Sequence, residues 1–329
     1  MAPLRVGVWG VGVWGEKHAR VWRALADAGD EVTLVGVHDL RADRATEVAA
    51  RHRCRVFETA DAMLREIEAI SITVPTVAHR TAAEAALAAG AHVLVEKPLA
   101  VTTAEADAML AAAQRAGREL QVGQVERFNP AVAAARPLVR APKFIESHRL
   151  ALFQPRSLDI DVVFDLMIHD IDLVLAFAGQ TPESVSAVGV AVLSNNEDIA
   201  NARLEFPDGC VANLTASRVS QERLRRIRFF QSDGYLSVDL FERTGEFLRV
   251  DRNAAPAPEG SLARLAGIQR SRLQVLDGEP LLLELQAFSR SLRGCGAGAA
   301  SGRAGRDALR VAEDVRAAMR RRTLQWTAR

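Results

Sequence analysis

Apolar positions in the first third of the chain fall in short β-branched runs, separated by longer segments with helical spacing. Leu4 to Trp9 alternates and predicts a first strand. A helix follows from about Glu16 to Ala28, ended by Gly29-Asp30, and Glu31 to His38 predicts a second strand closing on Asp39. The alternation continues through a helix at Ala42 to Arg51, a short strand at Arg55-Val56-Phe57 and a helix at Ala60 to Glu66. It then runs through a strand at Ala69 to Val74 broken by Pro75, a helix at Ala78 to Ala89 stopped by Gly90, and a strand at His92 to Glu96. A helix at Thr103 to Ala116, stopped by Gly117, and a strand at Glu119 to Gly123 complete the series. Repeated strand–helix units with short loops predict a doubly wound parallel sheet.

After Gly123 the pattern changes. Asn129 to Val139 predicts a helix, Lys143 to Leu152 a strand, and Asp165 to Ala178 an amphipathic helix ended by Gly179. Longer strands follow at Ser184 to Leu193, Ile199 to Phe206, Cys210 to Arg218, Arg225 to Gln231, Tyr235 to Leu240 and Glu246 to Val250. Pro207-Asp208-Gly209 and Ser232-Asp233-Gly234 read as hairpin turns. Consecutive strands joined by hairpins predict a large, mostly antiparallel open sheet, hence a second, α+β domain. Asn253 to Gly260 reads as a surface loop, Leu281 to Leu292 as a helix, Arg293 to Gly305 as a Gly/Ala loop and Asp307 to Arg321 as a closing helix. The expected division is 1–123 and 124–329, with the open sheet of the second domain suited to homo-oligomerisation as a dimer or tetramer.

Composition narrows the class without naming it. At 329 residues the chain is comfortable for two domains, and 49% hydrophobic with 25% charged residues is ordinary for a globular protein. A net charge of +1 provides no global field for nucleic acid or a membrane surface. No apolar run approaches the roughly 20 residues that span a bilayer. Met1 to Arg5 runs into a strand without a signal-peptide pattern. Cys54, Cys210 and Cys295 are dispersed and odd in number, which fits a reducing cytosol and offers neither a disulfide framework nor a CxxC metal site.

Three places could carry chemistry. The first is Gly10-Val11-Gly12-Val13-Trp14-Gly15, which follows a strand, opens a helix and is followed by an acid at the end of the next strand. That is the order of a dinucleotide-binding βαβ unit of Rossmann type. Gly10 permits the turn, Gly12 permits close approach of a pyrophosphate, and Gly15 permits close packing of helix on sheet. Asp39 would accept hydrogen bonds from the adenosine ribose hydroxyls and repel a 2′-phosphate, which favours NAD over NADP. Arg41 and Arg44 could instead hold that phosphate, or simply begin the next helix in solvent. The second place is Glu96-Lys97-Pro98, at the carboxyl edge of a buried strand, where open α/β sheets bind ligands; a charged pair capping a strand is the plainer alternative. The third is Asp165 to Asp172. Asp165, His169 and Asp172 share a helical face beside Leu166, Met167, Ile171, Val174 and Leu175, an expensive arrangement without partners or purpose. A capping Asp165 with a satisfied core His169 is the structural alternative. A metal site would need a third ligand, and none stands at suggestive spacing.

These residues carry a resemblance to the Gfo/Idh/MocA family of NAD(P)-dependent sugar and cyclitol oxidoreductases, over nearly the whole chain. The glycine loop, Thr73-Val74-Pro75 with His79, and Gly90-Ala91-His92-Val93-Leu94-Val95-Glu96-Lys97-Pro98-Leu99-Ala100 resemble its motifs, and Asp165 and His169 match its Asp-x-x-x-His pair. The chain departs from the family pattern at Asp161 to Phe164 and at Met167, where glycines are common. Val125 to Pro130, His148-Arg149-Leu150, Asp165 to Asp172 and Glu197 to Leu204 resemble a narrower group, dehydrogenases of C3 of UDP-N-acetylglucosamine that feed lipid A precursor synthesis.

The resemblance implies a cofactor site of Gly10, Gly12, Val13, Trp14, Gly15, Asp39, Val74, Pro75, His79, Glu96, Lys97 and Arg127, a cis Lys97–Pro98 bond, and a downstream aminotransferase partner. An inositol or free-sugar dehydrogenase is the alternative enzyme, and a silent NAD-binding sensor the alternative of another class. Oxidising a secondary alcohol needs a hydride acceptor and a base for the hydroxyl proton. His169 suits the base because imidazole titrates near working pH, with Asp165 or Asp172 orienting the ring. Lys97 would stabilise developing alkoxide charge. A nucleotide-linked substrate brings a pyrophosphate, for which Arg149, Arg156, Arg218, Arg223 and Arg225 are the candidate cations, so the expected substrate set is Lys97, Arg149, Arg156, Asp165, His169 and Arg218.

Overall fold

A computed structural model describes residues 2–154, 160–250, 268–296 and 298–327. The chain forms two compact units, one of 1–128 with 278–310, the other of 129–277 with 311–329.

The first unit is built on β1 (Leu4–Trp9), α1 (Val13–Asp27), β2 (Val32–His38), α2 (Ala42–His52), β3 (Arg55–Val56), α3 (Ala60–Leu64), β4 (Ala69–Ile72), α4 (His79–Ala88), β5 (His92–Glu96), α5 (Thr103–Ala116) and β6 (Leu120–Gly123). The strand order β6-β5-β4-β1-β2-β3 is parallel throughout, so the order reverses between β1 and β4. Val6, Val8, Ile70, Ile72, Val93 and Val95 are fully buried. Burial on both faces explains why these strands read as continuous apolar runs. Helix α1 begins earlier than its apolar spacing predicts, inside the glycine loop, with Gly12 as its N-cap.

The second unit contains α6 (Pro130–Ala135), β7 (Phe144–Leu150), a π-helical turn (Val163–Met167) running into α7 (Ile168–Ala178), then β8 (Ser184–Val190), β9 (Ile199–Glu205), β10 (Val211–Ser217), β11 (Leu224–Gln231), β12 (Gly234–Asp239), β13 (Thr244–Val250) and β14 (Ile268–Arg272). Its eight-stranded sheet has the order β14-β13-β12-β11-β7-β10-β9-β8, antiparallel except where β7 runs parallel to β10. The edge strand β14 has every residue exposed, so no apolar alternation announces it. The loop expected at Asn253 to Gly260 lies outside the described residues.

The chain then returns to the first unit with α8 (Pro280–Ser291) and β15 (Ala300–Ser301), which pairs antiparallel with β6. Leu281, Leu285 and Phe288 join the core made by Val6, Trp22 and Leu34, with Trp22 and Phe288 edge to face at 6.4 Å. That burial draws 278–310 away from the 124–329 block in which continuous sequence places it. The final helix, α9 (Gly302–Thr327), starts inside the stretch read as a Gly/Ala loop. A methyl at Gly302 would stand 3.0 Å from the Leu120 carbonyl, and one at Gly305 would overlap Val122. Both glycines serve close packing, which from sequence looks like loop composition.

Candidate active site

In the first unit the glycine turn is built around Gly10, whose φ of +88° only glycine adopts without strain. A Cβ there would lie 2.8 Å from the Val74 nitrogen, and one on Gly15 would overlap the Gly10 carbonyl oxygen. Gly12 is different, since nothing lies within 4 Å of a Cβ at that position. Its lack of a side chain leaves a cradle open above the first turn of α1, where no side chain caps the helix. The uncapped N–H groups and the open cradle fit a dinucleotide pyrophosphate. Val13 is exposed and Trp14 half-buried on this turn, with the Lys17 ammonium 4.4 Å from the Trp14 ring centroid.

Asp39 closes the turn from the end of β2. Its Oδ2 accepts the Val11 N–H at 2.6 Å and its Oδ1 accepts the Arg41 N–H at 2.9 Å. Of the two arginines that could hold a 2′-phosphate, Arg44 donates to the Val11 carbonyl at 2.9 Å and pairs with Glu16 and with Glu47. Arg41 pairs with Asp43 at the surface.

At the carboxyl edge of the sheet, β4 gives way to Thr73-Val74-Pro75 and β5 to Glu96-Lys97-Pro98. The Lys97–Pro98 bond is cis, as the resemblance implies. His79 is buried and ties the two segments together, with Nδ1 3.0 Å from the Pro98 carbonyl and Nε2 2.9 Å from the Val74 carbonyl. Burial pushes its pKa down, against the two carbonyls. Glu96 is held by His18, whose Nε2 lies 3.0 Å from Oε1, and its Oε2 accepts the Lys97 N–H at 3.3 Å. A Cβ on Gly123 would come within 2.5 Å of Glu96 Oε1, so glycine at the end of β6 makes room for the carboxylate. Lys97 is half-buried beside it, and Arg127 is half-buried on the short turn Val125–Phe128. His18 was not singled out by the sequence pattern. The signal was a histidine on the buried face of α1, next to Ala19 and Trp22.

In the second unit the helix of Asp165 and His169 starts at a cap supplied by Asp161. Asp161 Oδ1 accepts the N–H groups of Val163 (3.0 Å) and Phe164 (3.2 Å), and burial raises its pKa against those two bonds. Asp165 lines a cavity of about 180 Å³, shared with Leu150, Leu152, Arg218, Arg223, Arg225 and Phe241. His169 is half-buried four residues on, and Asp172 is buried. Among the described residues, no three His, Cys, Asp or Glu side chains come together as metal ligands.

The expected arginines divide into two kinds. Arg149 is 2% exposed and grips Asp170 through two bonds, Nε–Oδ2 at 2.7 Å and Nη2–Oδ1 at 3.1 Å. It holds the helix that carries His169, a placement set by Asp170, which the sequence pattern passed over. Arg218 is 4% exposed and donates to Asp198 Oδ1 (2.8 Å), the Ile160 carbonyl (2.8 Å) and Ser194 Oγ (3.0 Å), while still forming part of the cavity wall. Asp198 also accepts the N–H groups of Val192, Leu193 and Ser194 through Oδ2. Arg223 and Arg225 are exposed at the cavity. Arg156 lies outside the described residues.

Comparison with known proteins fits this geometry. Residues 4–124 match the model of the oxidoreductase family with an NAD-binding Rossmann fold, and residues 111–237 match the GFO/IDH/MocA C-terminal domain. A UDP-N-acetylglucosamine 3-dehydrogenase of Acidithiobacillus ferrooxidans is 41% identical over 320 residues, covering 97% of this chain and 98% of that protein. A solved structure of that enzyme superposes with a TM-score of 0.87 at 40% identity, over 97% of this chain and 98% of that one. An inositol 2-dehydrogenase of Acidothermus cellulolyticus is 31% identical over 181 residues, 52% of each chain. With a parallel nucleotide-binding sheet, a large second sheet and end-to-end similarity to a named dehydrogenase, the chain belongs to the GFO/IDH/MocA family of oxidoreductases.

Proposed function

We propose that this chain oxidises the C3 hydroxyl of UDP-N-acetylglucosamine to the 3-keto sugar nucleotide, with NAD as oxidant. The observation that carries the reading is the 41% identity with the Acidithiobacillus enzyme along the full length of both chains. The arginine-lined cavity around Asp165 supports it, because a sugar nucleotide brings a diphosphate that needs cations. The inositol 2-dehydrogenase reading is weaker, since that likeness covers half the chain.

In this reading the unit of 1–128 with 278–310 holds the cofactor, and the unit of 129–277 with 311–329 holds substrate and forms a homodimer or homotetramer. The residues of the cofactor half are Gly10, Gly12, Val13, Trp14, Gly15, Asp39, Val74, Pro75, His79, Glu96, Lys97 and Arg127. Bound there, NAD supplies the hydride acceptor. Preference for NAD over NADP follows from Asp39, whose charge opposes a 2′-phosphate, and from Arg44, which is already engaged by Glu16, Glu47 and Val11. His169 takes the hydroxyl proton, and Asp165 orients the ring. Lys97 donates a hydrogen bond to the reacting oxygen and favours its alkoxide form. His18 and the Lys97 amide fix Glu96 for a contact with the nicotinamide ribose. Arg218 shapes the substrate wall and Arg149 acts through the helix of His169.

The keto product suits a downstream aminotransferase, in synthesis of an amino-substituted lipid A or surface polysaccharide precursor. The three free thiols fit a cytoplasmic setting. No helix among the described residues is long and apolar enough to cross a membrane. Incubation with NAD and, separately, UDP-N-acetylglucosamine, inositol and glucose tests the reading. Reduced nicotinamide appears with the nucleotide sugar; appearance with inositol or glucose alone would replace the substrate, and appearance with none would point to a sensor.

A further inference from the structure

Among the described residues, the cavity in the second unit has a single aromatic lining residue, which the catalytic and charge roles above do not use. Phe241 is 47% exposed and presents an aromatic ring at the cavity wall. Its backbone, by contrast, is held from several sides. Asp239 Oδ1 accepts the N–H groups of Phe241 and Glu242, each at 3.0 Å, and Asp239 in turn pairs with Arg226 at 3.2 Å. The neighbouring Leu240 donates its N–H to the Arg225 carbonyl at 2.7 Å, and its own carbonyl accepts from the buried Asn129 Nδ2 at 2.9 Å. An exposed aromatic ring on so firmly tied a turn is a preorganised surface rather than a loose loop tip.

The charges beside it complete the picture. Arg218, Arg223 and Arg225 line the same cavity. Arg223 is exposed, and among the described residues no ion pair or hydrogen bond engages it. Guanidiniums match phosphate oxygens in geometry and charge, and an aromatic face matches the π-face of a nucleobase.

We propose that Phe241 is the platform on which the base of a nucleoside diphosphate stacks, while Arg223 and Arg225 hold the diphosphate. The inference rests on the reading above that the substrate is nucleotide-linked, and it adds a residue that recognises the nucleoside. An acid, a set of guanidiniums and an aromatic ring around one cavity correspond to the sugar, the diphosphate and the base of such a ligand. Stacking tolerates any base, so Phe241 confers affinity for the nucleoside and leaves the choice among bases to other groups.

Calorimetric titration of the full-length protein with UDP and with inorganic pyrophosphate tests the proposal, using wild type, Phe241→Ala, Phe241→Tyr, Arg223→Gln and, as a control, Phe153→Ala. Phe153 is similarly exposed, at 40%, and is not part of the cavity lining. Phe241→Ala weakens UDP about 5- to 150-fold, the range of one base–aromatic stack, and leaves pyrophosphate unchanged. Phe241→Tyr binds UDP as wild type does, Arg223→Gln weakens both ligands, and Phe153→Ala weakens neither. Undiminished UDP binding by Phe241→Ala overturns the stacking role, as does an equal loss of UDP and pyrophosphate. Steady-state turnover of UDP-N-acetylglucosamine separates the two levels of inference. If wild type turns it over and Phe241→Ala leaves its KM unchanged, only the stacking role fails; if wild type neither turns it over nor binds UDP, the substrate reading fails as well.

Discussion

The two sheets place function by different means. At the carboxyl edge of the parallel sheet, backbone shape does most of the positioning. Gly10 turns at positive φ, Gly12 leaves a cradle, Gly123 makes room for Glu96, and His79 bridges two carbonyls. In the antiparallel unit, pairing of charges decides. Arg149 and Arg218 are buried by Asp170 and Asp198, while Arg223 and Arg225 remain at the surface of the cavity. Where the backbone sets the requirement, few residue types satisfy it. Where charge pairing sets it, four arginines of one chemistry take two different jobs according to which acid lies opposite.

Removing Lys97 should have the largest effect on that contrast. Lys97→Met lowers turnover about 10²- to 10⁴-fold and weakens NAD far less, because the glycine turn of Gly10 to Gly15 is untouched. Stopped turnover with NAD affinity measured by fluorescence titration checks it; full activity removes Lys97 from the chemistry.

Breaking a buried pair comes next. Arg218→Met removes the counter-charge of the buried Asp198 carboxylate, which keeps its amide and hydroxyl donors, and costs about 3–5 kcal/mol of stability by urea unfolding. A loss below about 1 kcal/mol would mean that the pair behaves like a surface bridge.

A smaller effect is the pH dependence of Asp198. Burial alone would raise its carboxyl pKa, but the Ser194 hydroxyl, the Leu193 amide, the Arg218 guanidinium and the Val192 amide outweigh burial and hold it well below the usual carboxylate range. With the folded value depressed, the unfolded chain takes up the proton first as pH falls. The contribution is therefore complete above the unfolded value of about 3.9 and is lost progressively below it. The stability advantage of wild type over Asp198→Asn shrinks as the buffer is acidified through that value; a constant advantage contradicts the assignment.

The smallest effect belongs to the exposed partner in the comparison. Arg223→Gln changes stability by no more than about 0.5 kcal/mol, although it raises the KM for a nucleotide sugar. A larger loss of stability would place Arg223 with the buried arginines.

The same contrast explains what could be read before the fold was known. The Rossmann unit was legible because a glycine loop between β1 and α1, followed by Asp39, leaves few alternatives. The helix that carries His169 was legible by its apolar spacing, although the cap at Asp161 and the π-turn that holds Asp165 were not, since glycine-free sequence there resembles ordinary helix. The return of α8 to the first core escaped because its partners, Trp22 and Asp30, lie far back in the chain. Arg149 and Arg223 looked alike for the same reason: burial by a distant acid leaves no local mark.

Hydride leaves C3 of the UDP-linked sugar in the proposed reaction, and UDP-N-acetylglucosamine carrying deuterium at C3 makes that transfer visible. The label is expected in the reduced nicotinamide and absent from a 3-keto product seen by mass spectrometry. Reduced cofactor without deuterium, or label that stays on the sugar, would contradict it.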